Sequence, residues 1–238
     1  GWESIADQWF GSTALPVYAP LMKTEAELNL FSNIKGKAVL DIGCGSGHSL
    51  KYMADRNASE LWGLDLSSTQ IANAKSYLEA NGYKANLFES PMELNPGIPI
   101  EHFDIVYSIY AFGWTTDLDK SISLVSKYLK SGGMFVFSWD HPLTPCLDNC
   151  GENLVISKSY HDIGQFSLNK SGHEMSLKKW KLSSYVEAFK KHGMYIDSLI
   201  EDVDNSVFEK VENDMSKYYS KDKSKLVPLS IIIKAIKK

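Results

Sequence analysis

The stretch that decides the fold is residues 37–50, which read Lys-Ala-Val-Leu-Asp-Ile-Gly-Cys-Gly-Ser-Gly-His-Ser-Leu. Its first half is apolar and predicts a buried strand, whereas the residues from His48 onward favour a helix. Between them stand Gly43, Gly45 and Gly47. Because glycine has no β-carbon, backbone N–H groups and a helix start can approach a ligand closely at such a turn. The stretch therefore predicts a turn that cradles a nucleotide.

A second apolar run supports this interpretation. Leu61-Trp62-Gly63-Leu64 ends in Asp65, which is followed at once by a helix signal. A carboxylate at a strand end, about 20 residues beyond a glycine-rich turn, is placed to bind the two hydroxyl groups of a ribose.

Short apolar runs alternate with amphipathic helical patterns along the chain, and this alternation is typical of the α/β class. The predicted strands are apolar enough to be buried on both faces of one seven-stranded sheet. They are 38–42, 61–64, 85–88, 103–109, 134–138, 195–200 and 229–236.

The helices between these strands carry start and stop signals. Residues 67–70, Ser-Ser-Thr-Gln, have the spacing of a capping box, and Asn81-Gly82 provides a stop. Apolar residues within 118–129 recur at intervals of four, three and four, which predicts a second amphipathic helix. A third helix is predicted from Ser184 to Gly193.

The 238 residues are 44% hydrophobic, enough to build one large core, so a single domain spanning 1–238 is expected. Residues 1–33 are rich in aromatic side chains and predict a helical lid, with plain packing as the alternative. Residues 143–181 interrupt the alternation and are long for a simple connection. We expect them to form a substrate-facing insertion.

Composition limits the partners. The net charge of −4 and the pI near 5.9 give no overall positive field for a nucleic acid or an anionic membrane, so a small or neutral molecule is favoured. The three cysteines lack the dense spacing of a secreted disulfide scaffold, and no run approaches the roughly 18 apolar residues of a membrane span. A cytoplasmic location is expected, with no metal site. Oligomeric state is not indicated.

Four motifs, in order along most of the chain, resemble those of the class I S-adenosylmethionine-dependent methyltransferases. Residues 41–47, Asp-Ile-Gly-Cys-Gly-Ser-Gly, resemble that family's glycine loop, and Asp65 matches its acidic residue at the end of strand two. Residues 103–108, Phe-Asp-Ile-Val-Tyr-Ser, are similar to its fourth-strand motif. Residues 129–133, Leu-Lys-Ser-Gly-Gly, are similar to its Leu-Lys-Pro-Gly-Gly turn.

The resemblance implies a Rossmann-like, doubly wound sheet of order 3-2-1-4-5-7-6 whose last strand is antiparallel. It also implies that S-adenosyl-L-methionine lies across the carboxyl ends of strands one, two and four, where ligands collect in such sheets. Asp65 would bind the ribose and Leu66 would flank the adenine. Where the family often has Asp-Ala after strand three, this chain has Glu89-Ser90-Pro91-Met92, so either Ser90 or Glu89 would meet the adenine amine. The implied cofactor residues are Asp41, Gly43, Gly45, Gly47, Asp65, Leu66, Ser90, Met92 and Ser108.

A methyl group on a sulfonium is already activated, so the enzyme mainly has to align a nucleophile at about 3–3.5 Å. If the acceptor is a hydroxyl, a base is expected to take its proton. His141, just past strand five, is the first candidate and Asp140 the second, with an ordinary turn as the alternative. Tyr110 and Trp114, after strand four, are expected to shape the acceptor pocket unless they are core aromatics. The acceptor is predicted to offer an oxygen or nitrogen atom of a small organic molecule.

Two other function classes are weighed against this one. A nicotinamide or flavin oxidoreductase would carry Gly-x-Gly-x-x-Gly, which places a glycine where His48 stands, and Asp41 would put a negative charge beside a pyrophosphate. A non-catalytic binding protein could keep the fold without the cofactor. The intact glycines and Asp65 argue against that second alternative.

Overall fold

The computed structural model describes residues 13–151, 153–170, 173–209 and 214–238. Apolar runs form the strands, most of which pair into a single sheet. The strands are β1 (Ala38–Ile42), β2 (Glu60–Asp65), β3 (Asn86–Glu89), β4 (Phe103–Ile109), β5 (Leu129–Asp140), β6 (Leu147–Cys150), β7 (Asn153–Ile156), β8 (Gln165–Lys170), β9 (His173–Lys178), β10 (Met194–Ile200) and β11 (Ser230–Lys237).

The main sheet has seven strands in the order β3-β2-β1-β4-β5-β11-β10. The pairs from β3 through β5 are parallel, and β11 runs antiparallel to both of its neighbours. Counted within this sheet alone, the order is the predicted 3-2-1-4-5-7-6, and the α/β class with one antiparallel last strand is confirmed. β5 begins earlier than predicted because Leu129 already pairs with Phe103.

The helices fill the connections between strands. They are α1 (Glu25–Leu28), α2 (His48–Ala54), α3 (Ser68–Ala80), α4 (Leu118–Tyr128), α5 (Leu182–Lys191), α6 (Ser206–Glu209) and α7 (Lys221–Leu226). α3 starts where predicted, because the Ser67 hydroxyl accepts the Gln70 N–H at 3.2 Å. No helix in the described ranges combines the length and apolar character needed to cross a bilayer.

Apolar side chains cover both faces of the sheet. On one face, α4 and α5 bury side chains such as Ile122 and Phe189 against Phe135. On the other face, Leu50 and Met53 of α2 pack with the segment that precedes β1. The sheet is thus buried on both sides, and the ends of its strands are the positions left for a ligand.

The segment 13–33 is mostly not helical, in contrast to the predicted helical lid, and residues 1–12 lie outside the described ranges. Its only described helix is α1, and the segment is held by hydrogen bonds instead. The buried Glu25 carboxylate accepts the Tyr18 hydroxyl at 2.5 Å and the Leu30 and Phe31 N–H groups at 2.9 and 2.8 Å. These bonds hold the segment together, and the Ser138 hydroxyl of β5 joins it to the sheet by donating to the Tyr18 carbonyl at 2.6 Å. A lid function stays a prediction.

Residues 143–181 form two β-hairpins, β6–β7 and β8–β9, between β5 and α5. A short 3₁₀ turn at Thr144–Cys146 leads into the first hairpin. This segment adds no strand to the main sheet.

Candidate donor and acceptor cavity

A cavity of about 1140 Å³ opens at the carboxyl ends of β1, β2, β4 and β5. It slightly exceeds the 300–1,000 Å³ range usual for small-ligand pockets, so it has room for a nucleoside-sized donor together with a second molecule. One side is lined by residues that the sequence assigned to the cofactor. They are Gly43, Gly45, Asp65, Leu66, Ser90 and Met92.

The three glycines of the turn have different physical roles. All have positive φ, at +75° for Gly43, +50° for Gly45 and +82° for Gly47. A β-carbon at Gly43 would lie 2.3 Å from Ala111, and one at Gly47 would lie 3.2 Å from Ala74, so these two positions are glycine because protein packs against them. A β-carbon at Gly45 would meet no protein atom within 4 Å. Gly45 therefore keeps its part of the cavity wall open to a ligand.

Asp65 joins the end of β2 to the glycine turn. One carboxylate oxygen accepts the Gly45 N–H at 2.9 Å, and the other accepts the Ser67 N–H at 2.9 Å. The side chain is half-buried and lines the cavity. A carboxylate held in this way is suited to the two hydroxyl groups of a ribose.

Asp41 lies beneath the turn and lines a smaller cavity of about 40 Å³ that also touches Gly43 and Gly45. Its Oδ1 atom is buried and has no hydrogen-bond partner among the described residues. Burial, with the negative charge of Asp65 nearby, raises the pKa of Asp41 well above its ordinary value, and the adjacent Tyr107 hydroxyl opposes that shift. The buried Oδ1 atom fits the ammonium group of an amino-acid moiety such as that of S-adenosylmethionine.

Besides Asp41, two further predicted cofactor residues, Gly47 and Ser108, do not line the large cavity. Ser108 is fully buried, and its hydroxyl donates to the Ile42 carbonyl at 2.5 Å, so it ties β4 to β1. Gly47 packs on Ala74 and opens α2. Of the two alternatives after strand three, Ser90 lines the cavity.

Asp140, at the end of β5, lies within a cluster of tyrosines on the other side of the cavity. One of its oxygens accepts the hydroxyls of Tyr110 and Tyr219, the latter at 2.5 Å, and the second oxygen accepts the Tyr218 hydroxyl at 2.9 Å. Burial raises the pKa of Asp140, while the three phenol hydrogen bonds oppose that shift. We call Asp140, Tyr110, Tyr218 and Tyr219 the tyrosine–aspartate cluster, and all four line the cavity.

Tyr218 and Tyr219 are functional candidates that the sequence did not reveal. They lie in a lysine-rich segment, where a pair of adjacent tyrosines is the only local signal. Their approach to Asp140 depends on tertiary contacts that no local pattern encodes.

His141 also lines the cavity, but both of its ring nitrogens are already engaged. Nε2 lies 2.9 Å from the Glu201 carboxylate, and Nδ1 accepts the Leu143 N–H at 3.1 Å. Burial lowers the pKa of His141, and Glu201 opposes that shift. The structure thus places Asp140 and His141 together at the cavity, each with its polar atoms engaged, and the choice between them as the proton acceptor stays a prediction.

Aromatic rings build the wall beside Asp140. The Trp139 ring centroid lies 5.1 Å from that of Tyr110 and 5.2 Å from that of Trp114. A β-carbon at Gly113 would lie 2.0 Å from the Trp139 indole, so glycine at this position lets the ring lie against the backbone. Tyr110 and Trp114 line the cavity. Their role in acceptor binding stays a prediction.

The insertion 143–181 also contributes to the cavity wall, with residues that include Leu147, Lys158 and Trp180. In the described parts of the chain, no three His, Cys, Asp or Glu side chains come together as a metal site.

Comparison with known proteins bears on this site, because residues 40–137 match a family model described as a methyltransferase domain. This region is similar to methyltransferase domains and makes up less than half of the chain. It contains the glycine turn, Asp65, β4 and most of β5. The fold is shared with solved S-adenosylmethionine-dependent methyltransferases, which agrees with the cofactor predicted from the sequence. A match to this family gives no support to a nicotinamide-dependent alternative.

Three relatives show how far the likeness extends. An uncharacterized protein of Haemophilus influenzae is 34% identical over 50% of this chain and 48% of its own length. A ubiquinone biosynthesis O-methyltransferase of Nitrosospira multiformis is 30% identical over 45% of this chain and 44% of its own. The chain thus spans about half the length of these curated relatives. A solved Listeria monocytogenes structure, described as a candidate S-adenosylmethionine-dependent methyltransferase, shares the fold with a TM-score of 0.73, at 22% identity over 90% of this chain and 97% of that one.

Proposed function

We propose that this protein transfers a methyl group from S-adenosylmethionine to an oxygen or nitrogen atom of a small organic acceptor by in-line displacement. The observation that carries the proposal is one continuous cavity with the Gly45–Asp65 pair on one side and the tyrosine–aspartate cluster on the other. A donor site and a proton-accepting group are the two elements that such a transfer needs.

The donor side is assigned residue by residue. Asp65 would hold the ribose hydroxyls, Asp41 the ammonium group, and Leu66, Ser90 and Met92 the adenine. When bound, S-adenosylmethionine supplies a methyl group that is already activated on a sulfonium centre. The chain therefore has to orient the acceptor and to receive its proton, and binding geometry provides most of the rate.

The acceptor side has a defined proton path. As an acceptor hydroxyl or amine forms its new bond to carbon, its proton passes to the Asp140 carboxylate. In one route the proton passes directly to Asp140. In the other, a tyrosine hydroxyl donates its own proton to Asp140 and takes the proton of the acceptor. Burial favours the protonated form of Asp140, which strengthens it as a base. The aromatic wall of Tyr110, Trp114 and Trp139 limits the access of water.

The names of the relatives include both an O-methyltransferase and a sterol 24-C-methyltransferase of Aspergillus fumigatus, so they do not select the acceptor atom. The Nitrosospira multiformis relative is named as an O-methyltransferase, and that name describes the relative alone. The tyrosine–aspartate cluster would serve an amine equally well, because it requires only a group that gives up a proton.

The test is a methyl-transfer screen with the full chain. Metabolite extracts are incubated with S-adenosylmethionine labelled in its methyl group, and labelled products are identified by mass spectrometry. We expect a product labelled on oxygen or nitrogen that is lost in Asp140→Asn, while S-adenosylhomocysteine still binds that variant. Labelled products on carbon alone, or full turnover in Asp140→Asn, would contradict the proposal.

A further inference from the structure

Four lysine side chains line the cavity, and all of them come from segments that follow β5. They are Lys158, Lys178, Lys179 and Lys223. We call them the lysine wall. They lie outside residues 40–137, the region matched by the methyltransferase family model.

Most carboxylates of the cavity are bound by groups other than these lysines. Backbone N–H groups donate to Asp65, and tyrosine hydroxyls donate to Asp140. Glu93 accepts the Thr115 hydroxyl and the Thr116 N–H, each at 2.8 Å. Asp148 is the exception, because one of its oxygens lies 3.7 Å from the Lys158 ammonium. Lys223 is a member of the lysine wall for which the described residues offer no carboxylate within ion-pair distance.

Lys223 is the most informative member of the wall. Its side chain is 8% exposed, and its ammonium donates to the Lys217 carbonyl at 2.5 Å. No carboxylate lies within ion-pair distance of it in the described ranges. Burial lowers the pKa of Lys223, and the more distant Asp214 and Asp148 oppose that shift. An ammonium has three hydrogen-bond donors, and enclosing it with only a carbonyl is costly unless an anion completes its environment.

The lysine wall lies close to the reacting end of the cavity. The carbonyl that Lys223 binds belongs to the peptide bond just before Tyr218, and the Tyr218 hydroxyl binds Asp140. Asp140 and Lys223 are thus linked through the 217–218 backbone, and both line the same cavity. In that cavity wall, Lys178 lies 4.4 Å from the centroid of the Trp180 ring, whose indole N–H donates to the Thr115 carbonyl. This aromatic surface suits the apolar body of such a molecule.

Resting on the proposed function, we propose that the methyl acceptor carries an anionic group, a carboxylate or a phosphate, that binds Lys223 and its neighbours in the lysine wall. The group to be methylated then lies at Asp140. The acceptor is thus an anion of small size with an apolar body, and the buried ammonium selects it over neutral and cationic analogues.

Four probes of similar size test this selection on the full chain saturated with S-adenosylhomocysteine. They are 4-hydroxybenzoate, 4-hydroxyphenyl phosphate, 4-hydroxybenzamide and 4-hydroxybenzylamine, and binding is measured by calorimetry. We expect the carboxylate or the phosphate to bind at least tenfold more tightly than the amide, and the amine to bind most weakly. The comparison of the first two probes identifies which anion is preferred.

Matched variants test whether Lys223 is the residue that causes the preference for anions. Lys223→Met is expected to remove the preference for the anions and Lys223→Arg to retain it. Lys225→Met is the control, because Lys225 lies in the same helix, lies 3.4 Å from Asp222 and does not line the cavity. S-adenosylhomocysteine is expected to bind all three variants as it binds the parent, which separates failure of this inference from failure of the donor site. Equal binding of the four probes, binding of none of them, or an unchanged preference in Lys223→Met would overturn the inference.

Discussion

The main-chain N–H of Gly45 donates to a carboxylate oxygen of Asp65 at 2.9 Å, although 20 positions separate the two residues in the chain. This bond joins the turn after β1 to the end of β2, so the two parts of the donor site are held together before any ligand binds. A site organised in this way loses less conformational entropy on binding.

Removing the Asp65 carboxylate is expected to weaken donor binding. Asp65→Ala should reduce the affinity for S-adenosylhomocysteine by roughly 1–3 kcal/mol, because charged hydrogen bonds to the ribose are lost. Calorimetry measures the change. Asp197→Ala is the matched control, since Asp197 lies on the edge strand β10 and does not line the cavity. Unchanged affinity in Asp65→Ala would refute the assignment of the ribose site.

Gly45→Ala is expected to lower the affinity for S-adenosylhomocysteine at least tenfold, because a methyl group would enter the space kept open for the donor. Gly82 offers a matched control. It too has positive φ and open space at its β-carbon position, but it lies at the end of α3 and does not line the cavity. Both substitutions should cost about 1–3 kcal/mol of stability through backbone strain. If both variants bind S-adenosylhomocysteine alike, the cavity at Gly45 is not the donor site.

Asp140→Asn is expected to lower turnover by about 10²–10⁴-fold, the usual contribution of a positioned acid or base. The amide cannot accept the acceptor's proton, while the Tyr110 and Tyr219 hydroxyls can still donate to its oxygen. Steady-state kinetics with the acceptor found in the screen measures this loss. S-adenosylhomocysteine affinity, the control, should not change, and turnover at the parent rate would exclude Asp140 as the base.

The pH profile of turnover should report the raised pKa of Asp140. Asp140 must be ionised to take a proton, so activity falls as the pH drops through that pKa, at a pH above the ordinary value near 3.9 for aspartate. Tyr219→Phe removes a hydrogen bond that lowers the pKa of Asp140. The loss of activity at low pH, which is the acid limb of the profile, should therefore move to higher pH. Tyr195→Phe, on the exposed face of β10, should leave the limb in place. A Tyr219→Phe limb shifted to lower pH would contradict this assignment.

His141 is expected to act through position rather than through proton transfer. His141→Asn should lower turnover less than tenfold and lower the melting temperature, because its contacts with Glu201 and Leu143 hold the loop after β5. The acid limb of the pH profile of His141→Asn should match that of the parent protein. A loss as large as that of Asp140→Asn, accompanied by a changed pH profile, would restore His141 as the base.

The sequence predicted the parts of the site that are local. Alternating apolar runs and helix caps such as Ser67 identified the α/β class, because these signals lie within a few residues of one another. The strand order followed from the resemblance of the four motifs, not from spacing. Gly45 and Asp65 could be assigned because Gly45 lies in the turn that follows one predicted strand and Asp65 directly follows the next.

The remaining features depend on contacts between distant segments. A strand serine such as Ser108 can point to a ligand or to a neighbouring carbonyl, and only the fold shows that it binds Ile42. Tyr219 is 79 positions from Asp140, so no local pattern predicts their hydrogen bond. The overall charge of −4 favoured a small or neutral substrate, whereas the lysine wall forms a local positive surface that a whole-chain sum conceals.

The central claim is that the cradle formed by Gly45 and Asp65 binds the adenosyl donor. Melting curves of the full chain with S-adenosylhomocysteine and with NADH test it most directly, because a ligand that binds only the native state raises the melting temperature. We predict a saturable rise with S-adenosylhomocysteine, reduced in Asp65→Ala, and no rise with NADH. A rise with NADH alone, or with neither compound, would contradict the claim.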